Sequence, residues 1–148
     1  MADLKPILLV EDNPKDIELT LAALEKSQLA NDVIVLRDGA EALDFLRCRG
    51  QYEGRRGGTP AVVLLDLKLP KVDGLEVLSA IKNDPVLRQL PVVMLTSSRE
   101  EQDVVRSYQA GVNAFVVKPV DFHEFFQAIQ DVGVFWAILN EPPPNLRV

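Results

Sequence analysis

Five residues with chemical potential stand where apolar runs of the chain end. Glu11 and Asp12 follow Ile7-Leu8-Leu9-Val10, and Asp66 follows Ala61-Val62-Val63-Leu64-Leu65. Thr96 follows Pro91-Val92-Val93-Met94-Leu95, and Lys118 follows Ala114-Phe115-Val116-Val117. Brought together, three carboxylates repel one another unless a cation neutralises them. Hard oxygen donors without nitrogen or sulfur suit Mg²⁺, which keeps several waters and binds through a few carboxylates plus phosphate. A lysine and a hydroxyl at the same spot would hold phosphoryl oxygens by charge and hydrogen bond. The chemistry this points to is phosphoryl transfer onto a carboxylate, which needs mainly positioning and charge neutralisation. Singly, each residue has a plainer reading. Asp66 alone merely ends a strand, Glu11-Asp12 alone suit a helix N-terminus, Thr96 alone suits an N-cap, and Lys118 alone is a solvated turn residue. The set of five carries the inference.

For these residues to meet, the apolar runs must be neighbouring strands of one parallel sheet, whose ligands bind beyond the carboxyl ends. The rest of the chain supplies the connections. Ile17, Leu21 and Leu24 lie at i, i+4 and i+7 on a helix that Pro14 can begin. Val33-Ile34-Val35-Leu36 is a further strand, closed by Asp38-Gly39, and Ala42, Leu43, Phe45 and Leu46 form a second helical pattern. Residues 49–60, rich in glycine and arginine, read as an exposed connection with nothing to bury. Leu75, Leu78 and Ile81 mark a third helix that ends before Pro85, and a fourth runs from about Glu100 to Ala110 with Gly111 as its C-cap. Phe122, Phe125, Phe126, Ile129, Val132, Trp136 and Leu139 mark a last helix, stopped by Pro142-Pro143-Pro144. Five strands apolar on both faces, joined through helices, make an α/β three-layer sandwich around a parallel five-stranded sheet.

Composition narrows the function classes. With 47% hydrophobic and 26% charged residues, the chain of 148 is a globular domain rather than a disordered one. A formal net charge of −6 argues against a general nucleic-acid or anionic-membrane binder. No apolar run approaches the roughly 20 residues that span a bilayer. The N-terminus lacks a secretion signal and Cys48 has no partner for a disulfide, so the cytoplasm is the expected location. The lone His123 rules out a multi-histidine metal site.

The motifs Ile7-Leu8-Leu9-Val10-Glu11-Asp12-Asn13-Pro14, Leu64-Leu65-Asp66-Leu67-Lys68-Leu69-Pro70 with Asp73-Gly74, Thr96-Ser97 and Val117-Lys118-Pro119 together resemble a response-regulator receiver domain of two-component signalling. The resemblance covers roughly residues 5–140, leaving 141–148 as a short proline-containing tail. It implies a flavodoxin-like (βα)₅ fold with strand order 2-1-3-4-5. It implies Asp66 as phosphoacceptor for a histidine kinase, with Mg²⁺ held by Glu11, Asp12, Asp66 and the Lys68 backbone carbonyl. It also implies Lys118 and Thr96 on the phosphoryl oxygens, a cis peptide between Lys118 and Pro119, and a switch in which Thr96 and Phe115 move together. Glu11 departs from the commoner aspartate but keeps the charge. Phe115 stands where tyrosine is frequent and lacks its hydroxyl.

The insert before the third strand and the Phe135-Trp136 ending are similar to stand-alone receivers paired with bacterial phytochrome-type histidine kinases. With no output domain after these motifs, the signal is expected to leave by protein contact, dimerisation or onward phosphotransfer. The aromatic last helix leaves two readings, core packing or a homodimer through helices four and five. Chemistry confined to the chain's own phosphorylation and dephosphorylation makes it a binding module rather than an enzyme. A Mg²⁺-dependent aspartyl-phosphate phosphatase would place a second acid where Lys68 stands. A flavodoxin-like cofactor binder would want a phosphate-cradling loop where Glu11-Asp12 stand. A degenerate receiver acting as a scaffold would not need Asp66, Thr96 and Lys118 intact.

Overall fold

Apolar residues at successive positions send their side chains to opposite faces of a strand, so a strand buried on both faces needs two cores. The chain builds both. In the computed structural model, which describes residues 5–26, 31–55, 59–97, 100–118, 123–125 and 127, five strands form one parallel sheet. They are β1 (Ile7–Val10), β2 (Val33–Leu36), β3 (Val62–Leu65), β4 (Val92–Thr96) and β5 (Ala114–Val117), in the order β2-β1-β3-β4-β5. The order matches the one the resemblance implied. Ile7 and Leu9 of β1 join Leu64, Val93, Leu95 and Val116 in one core, capped by Ile17 and Leu24 of helix α1 (Pro14–Lys26) and by Phe125. Leu8 and Val10 join Leu65 and Met94 in the other, under α2 (Gly39–Leu46) and α3 (Gly74–Lys82). Each fully buried Leu or Ile contributes about 1.5–3 kcal/mol, and every residue of β1, β3 and β4 is buried. The outer strands β2 and β5 are only partly covered. A fourth helix, α4, spans Glu101–Gln109 and ends into Gly111, whose φ of 100° only glycine adopts readily.

Helices α1, α2 and α3 start where capping side chains fix them. The Asn13 carboxamide oxygen accepts from the amides of Lys15 (2.9 Å) and Asp16 (3.3 Å), and Pro14 follows at the first helical position. Asp38 accepts from the Glu41 amide at 2.7 Å, and Asp73 from the Glu76 amide at 3.0 Å. All three caps lie on the rim beyond the carboxyl ends of the strands, where the chemistry-bearing residues also fall.

Arg49, Gly50, Gln51, Glu53 and Gly54 are exposed as expected of the connection, but Tyr52 and Arg55 within it are half-buried. A 3₁₀ turn forms at Gly50–Tyr52, and Tyr52 packs edge-on against Phe45, with ring centroids 5.2 Å apart. The Arg55 guanidinium sits 4.0 Å over the same Phe45 ring and donates to the Phe45 carbonyl oxygen at 3.0 Å. The long side chains Tyr52 and Arg55 bring apolar surface that the glycines lack.

Candidate functional site

The parallel ladder continues one residue beyond each strand, and that extra bond fixes the site. The Glu11 amide donates to the Leu36 carbonyl oxygen of β2 at 2.9 Å, and the Asp66 amide to Val10 of β1 at 3.0 Å. The Lys118 amide donates to Thr96 of β4 at 2.8 Å. Glu11, Asp66 and Lys118 are thus each tied to the neighbouring strand at the point where their own strand ends.

The side chains converge accordingly. Glu11, Asp12 and Asp66 each turn a carboxylate oxygen to a point where all three lie within 4.8 Å of one another. Lys118 reaches the same spot. Its ammonium pairs with Glu11, stands 3.4 Å from Asp66 Oδ1 and 3.1 Å from Asp16 Oδ2, and its side chain is only 6% exposed. Glu11 is 1% exposed and Thr96 2%, whereas Asp12 faces solvent. A buried wall with one open carboxylate suits a site that admits a hydrated ion from outside.

Charge at the site follows from this packing. Burial pushes the Asp66 carboxyl up to about 7; Lys118 pulls against that shift and Glu11 adds to it. The Asp66 Oδ1 atom also accepts from the Leu67 amide at 2.9 Å. Burial works against the Lys118 charge, but the bond and charge of Glu11, the charge of Asp66 and the bond to Asp16 outweigh it, and the ammonium is held above its ordinary value.

Two glycines bring the loop after Asp66 into place. A side chain on Gly74 would overlap the Asp66 carbonyl oxygen, and one on Gly39 would overlap the Val72 carbonyl. The Gly74 amide donates to Leu67 O at 2.7 Å, and Gly39 to Pro70 O at 3.3 Å. Residues 66–73 are therefore clamped between the starts of α2 and α3.

The structure brings together Glu11, Asp12, Asp66 and Lys118 as the sequence suggested. Thr96 is the last residue of β4 rather than a residue after it, and it is buried beside the Lys118 amide. Lys68 is exposed in the clamped loop, two positions from Asp66. Phe115 is half-buried on β5 and packs against the core beneath α2 and α3. Pro119 lies outside the described residues, and so does most of the last helix; of the dimer surface expected there, α4 exposes Val105 and Tyr108. Asp16 was missed. Its only signal in the sequence is its place in the first turn of α1, where an acid suits the helix dipole without further purpose.

The sequence profile of the response regulator receiver domain matches residues 7–130. The chain belongs to that family. Response regulator Rcp1 of Synechocystis sp. is 43% identical to this receiver over 132 residues, which cover 89% of the receiver and 88% of Rcp1. The solved structure of the bacteriophytochrome response regulator AtBRR is 73% identical, with a TM-score of 0.86, and the match covers 95% of this receiver and all of that chain. The manganese-bound form of Rcp1 is 42% identical with a TM-score of 0.75, over 94% of this receiver and 99% of that chain. The finer resemblance to receivers of phytochrome systems holds in these relatives. Among the described residues of this receiver, no helix is long and apolar enough to cross a membrane.

Proposed function

We propose that this receiver takes a phosphoryl group onto Asp66 from a phytochrome-type histidine kinase in the cytoplasm. Glu11, Asp12, Asp66 and the Lys68 backbone carbonyl would hold Mg²⁺. The observation that carries the reading is the cluster of three carboxylate oxygens within 4.8 Å, with the Lys118 ammonium beside it. The donor set is hard oxygen only, the chemistry that Mg²⁺ and Mn²⁺ share, and the relative Rcp1 has been solved with Mn²⁺ bound. When bound, the ion supplies charge neutralisation for the carboxylates and the incoming phosphoryl oxygens.

In the transfer, an Asp66 carboxylate oxygen forms a P–O bond while the P–N bond of the donor phosphohistidine breaks. The leaving imidazole nitrogen keeps the electron pair and takes a proton from water. Lys118 and the Thr96 hydroxyl contact the phosphoryl oxygens, and Phe115, half-buried on the exposed edge of the sheet, follows Thr96 as the switch. The changed surface is read by a protein partner, and a second copy meeting α4 at Val105 and Tyr108 is part of the proposal. The receiver unit runs over residues 5–140, with 141–148 as its tail.

Incubation with acetyl phosphate and Mg²⁺ tests the assignment. Intact mass should show one added phosphoryl group in the wild type and none in Asp66→Asn; undiminished labelling of the variant removes Asp66 as acceptor. Sedimentation at two protein concentrations, with and without the phosphoryl group, tests the second copy; a monomer throughout refutes it.

A further inference from the structure

We infer that Asp16 is a positioning residue of the phosphorylation site, holding the Lys118 ammonium in place once Glu11 and Asp66 have turned their oxygens to a divalent cation. The inference rests on the metal site proposed above and goes beyond it, because Asp16 is no part of the three-carboxylate cluster.

The geometry begins with the start of α1. An acid at the third helical position ordinarily reaches back to the N-cap amide and closes a capping box. Here that amide, of Asn13, donates instead to Glu11 Oε2 at 3.3 Å, while the Asn13 carboxamide secures the amides of Lys15 and Asp16. The Asp16 carboxylate turns toward the residue that follows β5. It reaches Lys118 Nζ at 3.1 Å, a residue 102 positions away in the chain.

The lysine's partners divide into two kinds. Glu11 and Asp66 are the oxygens a cation would also claim, so ammonium and ion compete for the same negative charge. Asp16 is 32% exposed on the helix side of the lysine and lies outside that competition. A buried ammonium stripped of its partners costs several kcal/mol, and retaining one carboxylate lowers that cost. Asp16 therefore makes it easier for Lys118 to yield Glu11 and Asp66 while staying within reach of the incoming phosphoryl oxygens. A merely structural role, as a favourable charge at the start of α1, would act equally with or without Lys118.

Calorimetric titration of Mg²⁺ into the wild type, Asp16→Asn, Lys118→Met and the double variant separates these roles. Asp16→Asn should weaken Mg²⁺ binding about fivefold to tenfold when Lys118 is present, the scale of one charged hydrogen bond. In the Lys118→Met background the same change should alter binding by less than about twofold, and Asp16→Glu, which keeps the charge, should restore most of the affinity. Equal losses in both backgrounds, or no loss in either, overturn the role assigned to Asp16. Absence of Mg²⁺ heat from the wild type instead fells the metal site itself, and the inference with it.

Discussion

Gly74 sets its bare α-carbon against the main chain of Asp66: a methyl group there would overlap the Asp66 carbonyl oxygen and stand 2.7 Å from the Leu67 Cα. The first turn of α3 is thus packed directly under the residue that does the chemistry. Gly74→Ala should destabilise the fold by about 1–3 kcal/mol, as overpacking does, and should weaken Mg²⁺ binding by displacing Asp66. Urea unfolding and calorimetry check the two effects. A variant with unchanged stability would mean that the loop yields without cost.

Loss of the Asp66 proton should make the metal-free protein less stable as pH rises. Its carboxyl is raised to about 7 in the fold, chiefly by burial, so the protonated form contributes stability that is fully present below the ordinary carboxylate value. That contribution is lost as pH rises from there through about 7. In a chelator, urea midpoints of the wild type should fall between pH 5 and 8, and those of Asp66→Asn should fall less. The same proton must leave for a cation to bind, so apparent Mg²⁺ affinity should drop below pH 7 and binding should release protons.

Lys118 should stabilise the metal-free protein and oppose the ion. Its ammonium is sealed against Glu11 and Asp66, and losing one partner of a buried pair leaves uncompensated charge. Lys118→Met should cost about 3 kcal/mol at pH 8 in a chelator, and less at pH 5, where a protonated Asp66 needs no partner. Added Mg²⁺ should recover more stability in this variant than in the wild type, read as the shift in urea midpoint. Equal recovery in both would refute competition between the two cations.

Lys82 offers a control remote from the chemistry. Its ammonium donates to Leu90 O at 2.8 Å, Asn113 Oδ1 at 3.0 Å and Arg88 O at 3.3 Å, tying the end of α3 to the segments that enter β4 and β5. Lys82→Met should cost about 0.5–1.5 kcal/mol, the net scale of a hydrogen bond to a partly buried acceptor, while Mg²⁺ binding and labelling by acetyl phosphate stay at wild-type values. Loss of labelling would show that this strut also shapes the site.

Much of the molecule could be read without coordinates because parallel strands buried on both faces leave continuous apolar runs. Ile7 to Val10 and Val62 to Leu65 are such runs, and each points to the residue that follows it. Pro14 marked the start of α1 for a similar local reason, whereas the caps at Asn13, Asp38 and Asp73 came only from the structure. The loop after Arg49 misled because glycine and arginine are polar in composition, yet the Arg55 stem and the Tyr52 ring cover Phe45. Asp16 gave no warning: its partner Lys118 lies 102 positions further along the chain, and nothing in its neighbourhood encodes that.

Sequence alone therefore determined which side chains stand at the strand ends, and with them the class of chemistry, because periodicity and turn residues are local properties of the chain. Tertiary structure alone decided which carboxylates share Lys118 and how far Asp66 is lifted from its ordinary acidity. Those outcomes depend on separations of 3–4 Å between residues far apart in the chain, and on the loss of water around them, which strengthens every charge interaction within.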